Sequence, residues 1–306
     1  MVREAAHRIG PLIQRTPIFT SHGASALAGK QLFFKCENFQ RGGAFKIRGA
    51  SNMLLSLSSE EIAQGVVAFS SGNHAQATAI AAKHVGAKAT IVMPQDAPKC
   101  KVDPTRALGA TIVTYDRLKE DREAIAARIL QETGATLVPP YDHPLIIAGQ
   151  GTAALELLDD HPELEALVIC VGGGGLISGC ATIAKSINPK IRIFGVEPEL
   201  ANDTWQSFRK GERVTIPPPE TIADGLRSPS PGKLTFPIIQ RLVEDILLVS
   251  EDEIRQAVQF CFTRMKMVVE PSGAVSVAAA LFRKLPTDIR RVGLIVSGGN
   301  MDPVGA

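Results

Sequence analysis

The feature that most constrains this chain is a regular alternation of short apolar runs with segments of helical periodicity. From residue 66 onward, four apolar runs of strand length are separated by three segments of helix length. The predicted strands are 66–69, 89–93, 111–115 and 136–138, and the predicted helices are 74–84, 99–108 and 118–133. Such an alternation favours a parallel sheet covered by helices, because parallel neighbours need a crossover connection.

The same alternation restarts after residue 147. Helices are predicted over 148–158, 176–187, 251–265 and 274–285, and strands over 167–171, 191–196 and 292–296. A strand over 31–36 belongs clearly with neither run, and the proline-rich stretch 197–245 is irregular. The predicted class is α/β, with two parallel-sheet domains that carry helices on both faces. We expect a small domain (62–146) inserted into a large one (1–61 plus 147–306), with a ligand cleft between them.

Composition and charge argue against several classes of function. The chain of 306 residues has 33 Lys+Arg against 31 Asp+Glu, so its net charge is only +2 and no nucleic-acid partner is expected. The five cysteines show no CxxC spacing, which disfavours zinc and disulfide frameworks. The N-terminus lacks the apolar core of a signal peptide, so a cytoplasmic location is expected.

One uncharged stretch, 166–184, is about as long as a membrane span. Its glycines at 172–175 and 179 are unfavourable in a lipid-embedded helix. We therefore expect no membrane association, and we interpret the stretch as a buried strand, a loop and a buried helix.

Three glycine-bearing loops follow predicted strands, and in a parallel sheet such loops lie at the carboxyl edge where ligands bind. The loop Ser70-Ser71-Gly72-Asn73-His74 precedes an alanine-rich helix, whose first N–H groups favour an anion such as a carboxylate; a simple capped turn is the alternative. The loop Ser297-Gly298-Gly299-Asn300 is weakly informative alone.

The most specific loop is Gly172-Gly173-Gly174-Gly175, which follows strand 167–171. Successive glycines let backbone amides close around a phosphate, although a tight packing turn would have the same sequence. A Walker loop is excluded because Cys180 follows Gly179. The dinucleotide pattern GxGxxG also fails, and only Glu197, at the end of the next strand, keeps a nicotinamide-dependent oxidoreductase open as an alternative.

A lysine is the candidate nucleophile. Lys46 follows the flexible pair Gly42-Gly43 and begins a predicted helix with apolar positions at Ile47 and Ala50. At a helix start, the positive end of the dipole disfavours an ammonium and helps to lower its pKa. A neutral amine can attack a carbonyl. The alternative interpretation is a solvated surface lysine.

Together, Ala44-Phe45-Lys46-x-Arg48-Gly49, the 70–74 loop, the tetraglycine loop and Ser297-Gly298-Gly299-Asn300 resemble the fold type II pyridoxal phosphate enzymes. The resemblance is to the serine/threonine dehydratase (threonine ammonia-lyase) and serine racemase branch, with a fold of the tryptophan synthase β type. It runs from about residue 12 to 302 and includes 37–40, 148–152, 221–225 and 269–271.

The resemblance implies a role for each matching residue. Lys46 would hold pyridoxal phosphate covalently and act as a base, and Ser71 would be the base on the opposite face. The implied cofactor-binding residues are Phe45, Lys46, Asn73, Gly172, Gly173, Gly174, Gly175 and Ser297. The implied substrate-binding residues are Ser70, Ser71, Gly72, His74 and Arg122. A neutral serine opposite the pyridine nitrogen favours elimination over transamination.

The resemblance also implies a cation site and a quaternary structure. Glu197, Ala201 and Asp203 match the divalent-cation site of the family, with two carboxylates and one backbone carbonyl. Oxygen-only ligands suit Mg²⁺, or alternatively Ca²⁺ or Mn²⁺. A solvated acidic loop is the alternative. A homodimer is expected.

The implied reaction is β-elimination on a small β-hydroxy amino acid. L-Serine or L-threonine would give pyruvate or 2-oxobutanoate plus ammonia. 3-Hydroxyaspartate would need a second cation, which Arg122 could supply, although Arg122 is flanked by acids and could be a surface ion-pair residue. The segment Tyr141-Asp142-His143-Pro144 also resembles that of hydroxyaspartate-active relatives. Serine or aspartate racemisation stays open, because both reactions use the same two faces.

The sequence departs from the family pattern at three places, the first being Gly42, where a larger residue is common. Asp103-Pro104 indicates that the helix predicted there starts late, on the outer surface of the small domain. The chain stops soon after Asn300, so feedback control by isoleucine through a C-terminal regulatory domain is not expected.

Overall fold

The protein contains two parallel sheets wrapped by helices. A computed structural model describes residues 1–70, 72–97, 99–116 and 119–302. The strands are β1 (Ile18–Thr20), β2 (Gln31–Cys36), β3 (Val66–Phe69), β4 (Ala89–Pro94), β5 (Thr111–Tyr115), β6 (Thr136–Leu137), β7 (Ala166–Cys170), β8 (Arg192–Pro198), β9 (Asp245–Val249) and β10 (Arg291–Val296).

The helices connect these strands, with short 3-10 turns at Glu37–Phe39 and Asp224–Leu226 and a π-helical turn at Cys261–Met265. They are α1 (Val2–Ile9), α2 (His22–Ala28), α3 (Lys46–Leu54), α4 (Ser59–Gln64), α5 (Asn73–Val85), α6 (Lys99–Ala107), α7 (Arg122–Thr133), α8 (Pro144–Asp160), α9 (Gly175–Ile187), α10 (Asp203–Lys210), α11 (Thr235–Leu242), α12 (Glu251–Phe260) and α13 (Pro271–Leu281).

The larger sheet has six strands in the order β1-β2-β10-β7-β8-β9, all parallel except the edge strand β1. β2 pairs with β10, from Gln31 opposite Arg291 to Cys36 opposite Val296. The strand predicted over 31–36 therefore belongs to this sheet, and the two ends of the chain meet in it. Central strands such as β7 are buried along their whole length, as expected for a sheet covered on both faces.

The smaller sheet has four parallel strands in the order β5-β4-β3-β6. All four come from residues 66–137, inside the segment predicted as an insertion. The predicted α/β class, with two parallel sheets covered by helices, is confirmed. The domain boundaries at 61/62 and 146/147 stay a prediction, and the second falls inside α8.

Close packing of α8 against its neighbours depends on glycine. A Cβ at Gly149 would lie 2.5 Å from the carbonyl oxygen of Arg48 on α3, and one at Gly151 would lie 2.6 Å from the carbonyl oxygen of Gly179 on α9. The motif 148–152 is thereby explained as a contact surface, because only glycine allows the three helices to approach so closely. This packing fixes α3, which begins at Lys46, against α8.

Several predicted helix boundaries are wrong. α8 begins at Pro144 rather than at 148, because His143 caps it and proline suits the first helical position. α7 begins at Arg122, capped by Asp121, rather than at 118; residue 118 lies outside the described residues. The helix predicted to end at 265 changes to a π-helical turn after Phe260.

The late start predicted for the helix with Asp103-Pro104 is also wrong. α6 already begins at Lys99 and carries Pro104 inside it. The helix continues past the proline, since the hydroxyl of Thr105 donates to the carbonyl of Lys101 (2.7 Å) and the N–H of Leu108 donates to that of Pro104 (3.1 Å).

The uncharged stretch 166–184 forms β7, the tetraglycine loop and most of α9. This confirms the strand, loop and helix interpretation. In the described part of the chain, no helix combines the length and the apolar character needed to cross a membrane.

Candidate active site

The loop that precedes α3 lies on the loop that follows β10. The N–H of Phe45 donates to the carbonyl of Ser297 (3.0 Å), and Ala44 forms an antiparallel bridge with Gly298. These bonds place Lys46, the first residue of α3, at the carboxyl edge of the larger sheet. Residues about 250 positions apart in the sequence thus form one wall of a cavity.

The cavity has a volume of about 140 Å³ and lies between the carboxyl edges of the two sheets. It collects all of the predicted cofactor-binding and substrate-binding residues that the structure describes. Those that line it are Phe45, Lys46, Ser70, Gly72, Asn73, His74, Arg122, Gly172, Gly173, Gly174, Gly175 and Ser297. Ser71, the predicted second base, lies outside the described residues.

Lys46 combines a nucleophile with an apolar setting. Its Nζ lies 5.3 Å from the centre of the Phe45 ring and donates to the carbonyl of Pro140 (2.8 Å). Burial lowers the pKa of Lys46 to about 8, although the nearby groups Cys170 and Glu270 oppose that shift. The neutral amine is therefore a minor form at pH 7, but a far larger one than for an ordinary lysine, and burial is the main cause.

The tetraglycine loop joins β7 to the N-terminus of α9. Gly174 has φ +92°, a conformation that side chains disfavour. A Cβ at Gly173 would collide with the ring of Tyr141, and one at Gly175 would lie 2.9 Å from the Tyr141 Cβ. The loop is a cradle that a side chain would fill, and its backbone amides open onto the cavity at a helix N-terminus.

A chain of hydrogen bonds orients Asn73. Its Nδ2 donates to Oε1 of Glu270 (2.6 Å), and its Oδ1 accepts from Nδ2 of Asn300 (3.0 Å), which also donates to the carbonyl of Gly42 (2.7 Å). One Nδ2 hydrogen remains to donate to a ligand. Burial raises the pKa of Glu270 to about 7, and its second oxygen has no hydrogen-bond partner among the described residues.

His74 is a buried neutral imidazole. Its Nε2 lies 2.9 Å from the carbonyl oxygen of Val138, so Nε2 carries the proton and donates. Burial, together with the charge of Lys46, lowers the pKa of His74 to about 3. Nδ1 is then an acceptor and cannot donate to a carboxylate. Any carboxylate contact at this residue comes from its backbone N–H in the first turn of α5.

Arg122 reaches the cavity from the first turn of α7. Its guanidinium carbon lies 5.2 Å from the centre of the Phe69 ring, at the end of β3. Within the described ranges it forms no ion pair with a carboxylate. Arg122 is therefore a cavity-lining residue and not the surface ion-pair residue that was the alternative.

The predicted cation-site residues lie apart from this cavity. Glu197 and Asp203 are fully buried, and Ala201 lies beside them in the chain. Glu197 accepts from the N–H groups of Thr204 (3.2 Å) and Trp205 (2.7 Å), whereas neither Asp203 oxygen has a partner in the described chain.

Burial raises the pKa of Asp203 to about 8, and burial followed by the charge of Asp203 raises the pKa of Glu197. Two adjacent buried carboxylates, of which Asp203 has both oxygens unpartnered in the described chain, suit a hard cation. The described residues contain no cluster of three side-chain ligands, so a third protein ligand would be a backbone carbonyl, as predicted for Ala201.

Residues 9–298 match the family described as "Pyridoxal-phosphate dependent enzyme". The chain belongs to this family. Among curated relatives of this pyridoxal-phosphate-dependent enzyme, it is 50% identical to L-threo-3-hydroxyaspartate ammonia-lyase of Saccharomyces cerevisiae, over 98% of this chain and 92% of the relative. It is 49% identical to serine racemase of Schizosaccharomyces pombe, over 98% of this chain and 93% of the relative.

The structure of maize serine racemase superposes with a TM-score of 0.96 at 47% identity, covering 98% of this chain and 93% of that one. The family and branch inferred from the motifs are therefore confirmed. The residues present also fit the cofactor, since Lys46 offers an amine with a lowered pKa and the tetraglycine cradle offers amides for a phosphate.

Sequence reasoning assigned no role to several polar groups that line the cavity, among them Lys101, Tyr141, Asp224 and Glu270. Asp224 and Glu270 lie in motifs that carried the resemblance, so a signal existed but no role was assigned. Tyr141 was noted only as part of a segment similar to hydroxyaspartate-active enzymes. Lys101 has no local sequence signal, because only the folded chain brings it to the cavity.

Proposed function

We propose that the protein is a pyridoxal-phosphate-dependent ammonia-lyase that acts on small β-hydroxy-α-amino acids, and that it prefers L-threo-3-hydroxyaspartate. That substrate would give oxaloacetate and ammonia, whereas L-serine and L-threonine would give pyruvate and 2-oxobutanoate as slower reactions. The observation that carries the preference is Arg122, a guanidinium that lines the cavity without an ion-pair partner in the described chain. A second carboxylate on the substrate would supply that partner.

The cofactor and the protein divide the work. When bound, pyridoxal phosphate would supply an electron sink that makes the α-proton of the substrate acidic. Gly172–Gly175 would hold its phosphate, Asn73 would donate to its ring hydroxyl, Phe45 would pack on its ring and Ser297 would face its nitrogen. Lys46 would anchor it.

The remaining groups bind the substrate and move its proton. The N–H groups at the start of α5, with Ser70 and Gly72, would receive the α-carboxylate. The amine of Lys46, once released by the substrate, would take the α-proton at Nζ, which its pKa of about 8 allows near neutral pH. Loss of the β-hydroxyl with a proton as water, followed by hydrolysis, would then yield the 2-oxo acid and ammonia. Serine or aspartate racemisation, which would need the predicted base Ser71, stays a prediction.

We also propose that Glu197, Asp203 and the carbonyl of Ala201 hold Mg²⁺ or a similar cation, and that the active species is a homodimer. The unpartnered oxygens of Asp203 support the cation. The resemblance alone supports the dimer.

The test measures ammonia release by the purified enzyme, saturated with pyridoxal phosphate, from L-serine, L-threonine and both 3-hydroxyaspartate diastereomers. In the Arg122→Met variant, we expect kcat/KM for the preferred diastereomer to fall about 100-fold, since a charge partner in a closed cavity is lost. L-Serine turnover should change by less than about threefold.

Arg128→Met is the matched control, because Arg128 lies exposed on the same helix. Equal losses with both substrates in Arg122→Met would refute the proposed preference. The absence of ammonia from every substrate would refute the elimination reaction itself.

A further inference from the structure

An ion pair joins the two sheet regions across the cavity. Nζ of Lys101, on α6, donates to Oδ2 of Asp224, in the 3-10 turn Asp224–Leu226. Helix α6 connects β4 to β5 of the smaller sheet, whereas Asp224 lies between β8 and β9 of the larger one. Both residues line the cavity, and the proposed function assigns a task to neither.

Lys101 lies directly on the loop proposed to receive the α-carboxylate. A Cβ at Gly72 would lie 3.3 Å from Nζ and 3.4 Å from Cδ of Lys101. Gly72 immediately precedes the first turn of α5, whose free N–H groups face the same space. The ammonium is therefore next to the anion-binding backbone and not elsewhere on the cavity wall.

Lys101 is only 4% exposed, so its charge requires a partner. An ammonium has three donors, and Asp224 accepts one of them. No other hydrogen bond from Nζ to residues of the described ranges is present. The remaining donors suit a second acceptor located on the 70–74 loop.

We propose that Lys101 binds the α-carboxylate of the substrate and that Asp224 is its positioning partner. The Lys101 ammonium then binds two carboxylates at once. One is Asp224 of the larger sheet region, and the other is the substrate α-carboxylate on the 70–74 loop of the smaller one. Substrate binding thereby draws the two regions together. This inference rests on the proposed function, because it identifies a group that receives the carboxylate of that substrate.

The two residues have opposite electrostatic effects on a substrate carboxylate. Removing Lys101 leaves the charge of Asp224 facing the incoming carboxylate, which combines a lost attraction with a new repulsion. Removing the charge of Asp224 leaves an uncompensated ammonium on the loop, which favours anion binding. It also deletes the ion pair between the two regions, which should slow the steps that need a closed cavity.

The experiment compares Lys101→Met, Asp224→Asn and the double variant, each saturated with pyridoxal phosphate. L-Serine is the substrate, so Arg122 contributes little. We expect Lys101→Met to raise KM on the order of 100-fold with a much smaller change in kcat. Asp224→Asn should leave KM equal or lower and reduce kcat, and the double variant should have an intermediate KM.

A binding measurement accompanies the kinetics. Glycine, which has no β-hydroxyl to lose, is titrated and its dissociation constant is read from the cofactor absorbance. Across the variants, the dissociation constant of glycine should change in the same direction as KM. Lys101→Arg, which keeps the charge, should restore glycine affinity to within about tenfold, and Lys99→Met on the same helix is the control at an exposed position.

A purely structural ion pair would give a different result. Both single variants would then raise KM together, and the double variant would be no better than Lys101→Met. That pattern, or a glycine affinity that Lys101→Met leaves unchanged, would overturn the proposal. If Lys101→Met does not fold, Asp224→Asn decides: an equal or lower KM supports the proposal, and a raised KM overturns it. If the parent enzyme releases no ammonia from any amino acid, the proposed function fails, and glycine binding still tests Lys101 separately.

Discussion

A buried cluster of four charges is centred on Arg48, two residues after Lys46 on α3. Its disruption gives the sharpest stability prediction. Arg48 is fully buried, and its guanidinium contacts both oxygens of Glu37 (2.7 and 2.8 Å) and both oxygens of Glu156 (2.7 and 2.8 Å). Nζ of Lys35 donates to Glu156 (2.6 Å) and to the carbonyl of Thr16 (2.8 Å). Two cations and two anions balance, and they join β2, α3 and α8.

The perturbation is Arg48→Met, which keeps much of the side-chain volume and removes the guanidinium. The ammonium of Lys35 is then the single cation left for two carboxylates, and of the two it is bonded to Glu156 alone. The Glu37 carboxylate keeps one hydrogen bond, from the hydroxyl of Thr16 (2.6 Å). Breaking a buried pair by removing one partner costs about 3–5 kcal/mol, because an uncompensated charge stays in the core.

The assay is urea unfolding at one fixed cofactor concentration, since bound ligand adds to the apparent stability. The control is Arg255→Met, which breaks an ion pair with Asp252 whose side chains are 57% and 83% exposed, and should cost less than about 1 kcal/mol. The variant Arg48→Met/Glu37→Gln restores a balanced pair and should regain part of the loss. A loss for Arg48→Met no greater than that of the control would refute the reasoning.

Three further predictions concern the cofactor and the cation. The rate at which cofactor-free protein attaches pyridoxal phosphate should rise with pH and level off above about 8, because the ammonium of Lys46 is unreactive below its pKa; a rate that is flat between pH 6 and 9 in absorbance measurements would contradict this. Gly173→Ala should weaken cofactor affinity at least about tenfold in a fluorescence titration, since the new methyl group meets the ring of Tyr141; unchanged affinity would argue against the cradle. Mg²⁺ at 100 times its Kd should stabilise the parent by about 2.7 kcal/mol in thermal unfolding but not Asp203→Asn, and an equal response in both would exclude this site.

The sequence predicted those elements whose patterns are long or uniformly apolar. β3, β4, β7 and β10 are short, buried and apolar, so periodicity alone identified them. The stretch 197–245, interpreted as irregular, contains two helices and leads into β9. Those helices have eight residues each and flank a proline-rich segment, so their stability comes from docking on the sheet rather than from local propensity.

The candidate site was predictable where topology determines position. Loops that follow parallel strands share an edge, so the 70–74, 172–175 and 297–300 loops could be expected near one another before any coordinates were known. Lys101 and Asp224 could not be paired in this way. They are 123 positions apart, and a lysine in a polar helix has no local signal that distinguishes a buried cation from a solvated one.

The division of groups between the two sheets accounts for how one cavity can hold a cofactor and still respond to a substrate. The tetraglycine loop and Ser297 follow strands of the larger sheet, and the bond between Phe45 and Ser297 ties the Lys46 loop to it. The proposed carboxylate loop and Lys101 flank strands of the smaller sheet. A displacement of the smaller sheet would therefore move the substrate contacts, and Asn73 with them, while the cofactor contacts from the larger sheet stay in place. Such a displacement would break the ion pair between Lys101 and Asp224. For that reason the Lys101 variant should raise KM, whereas the Asp224 variant should not.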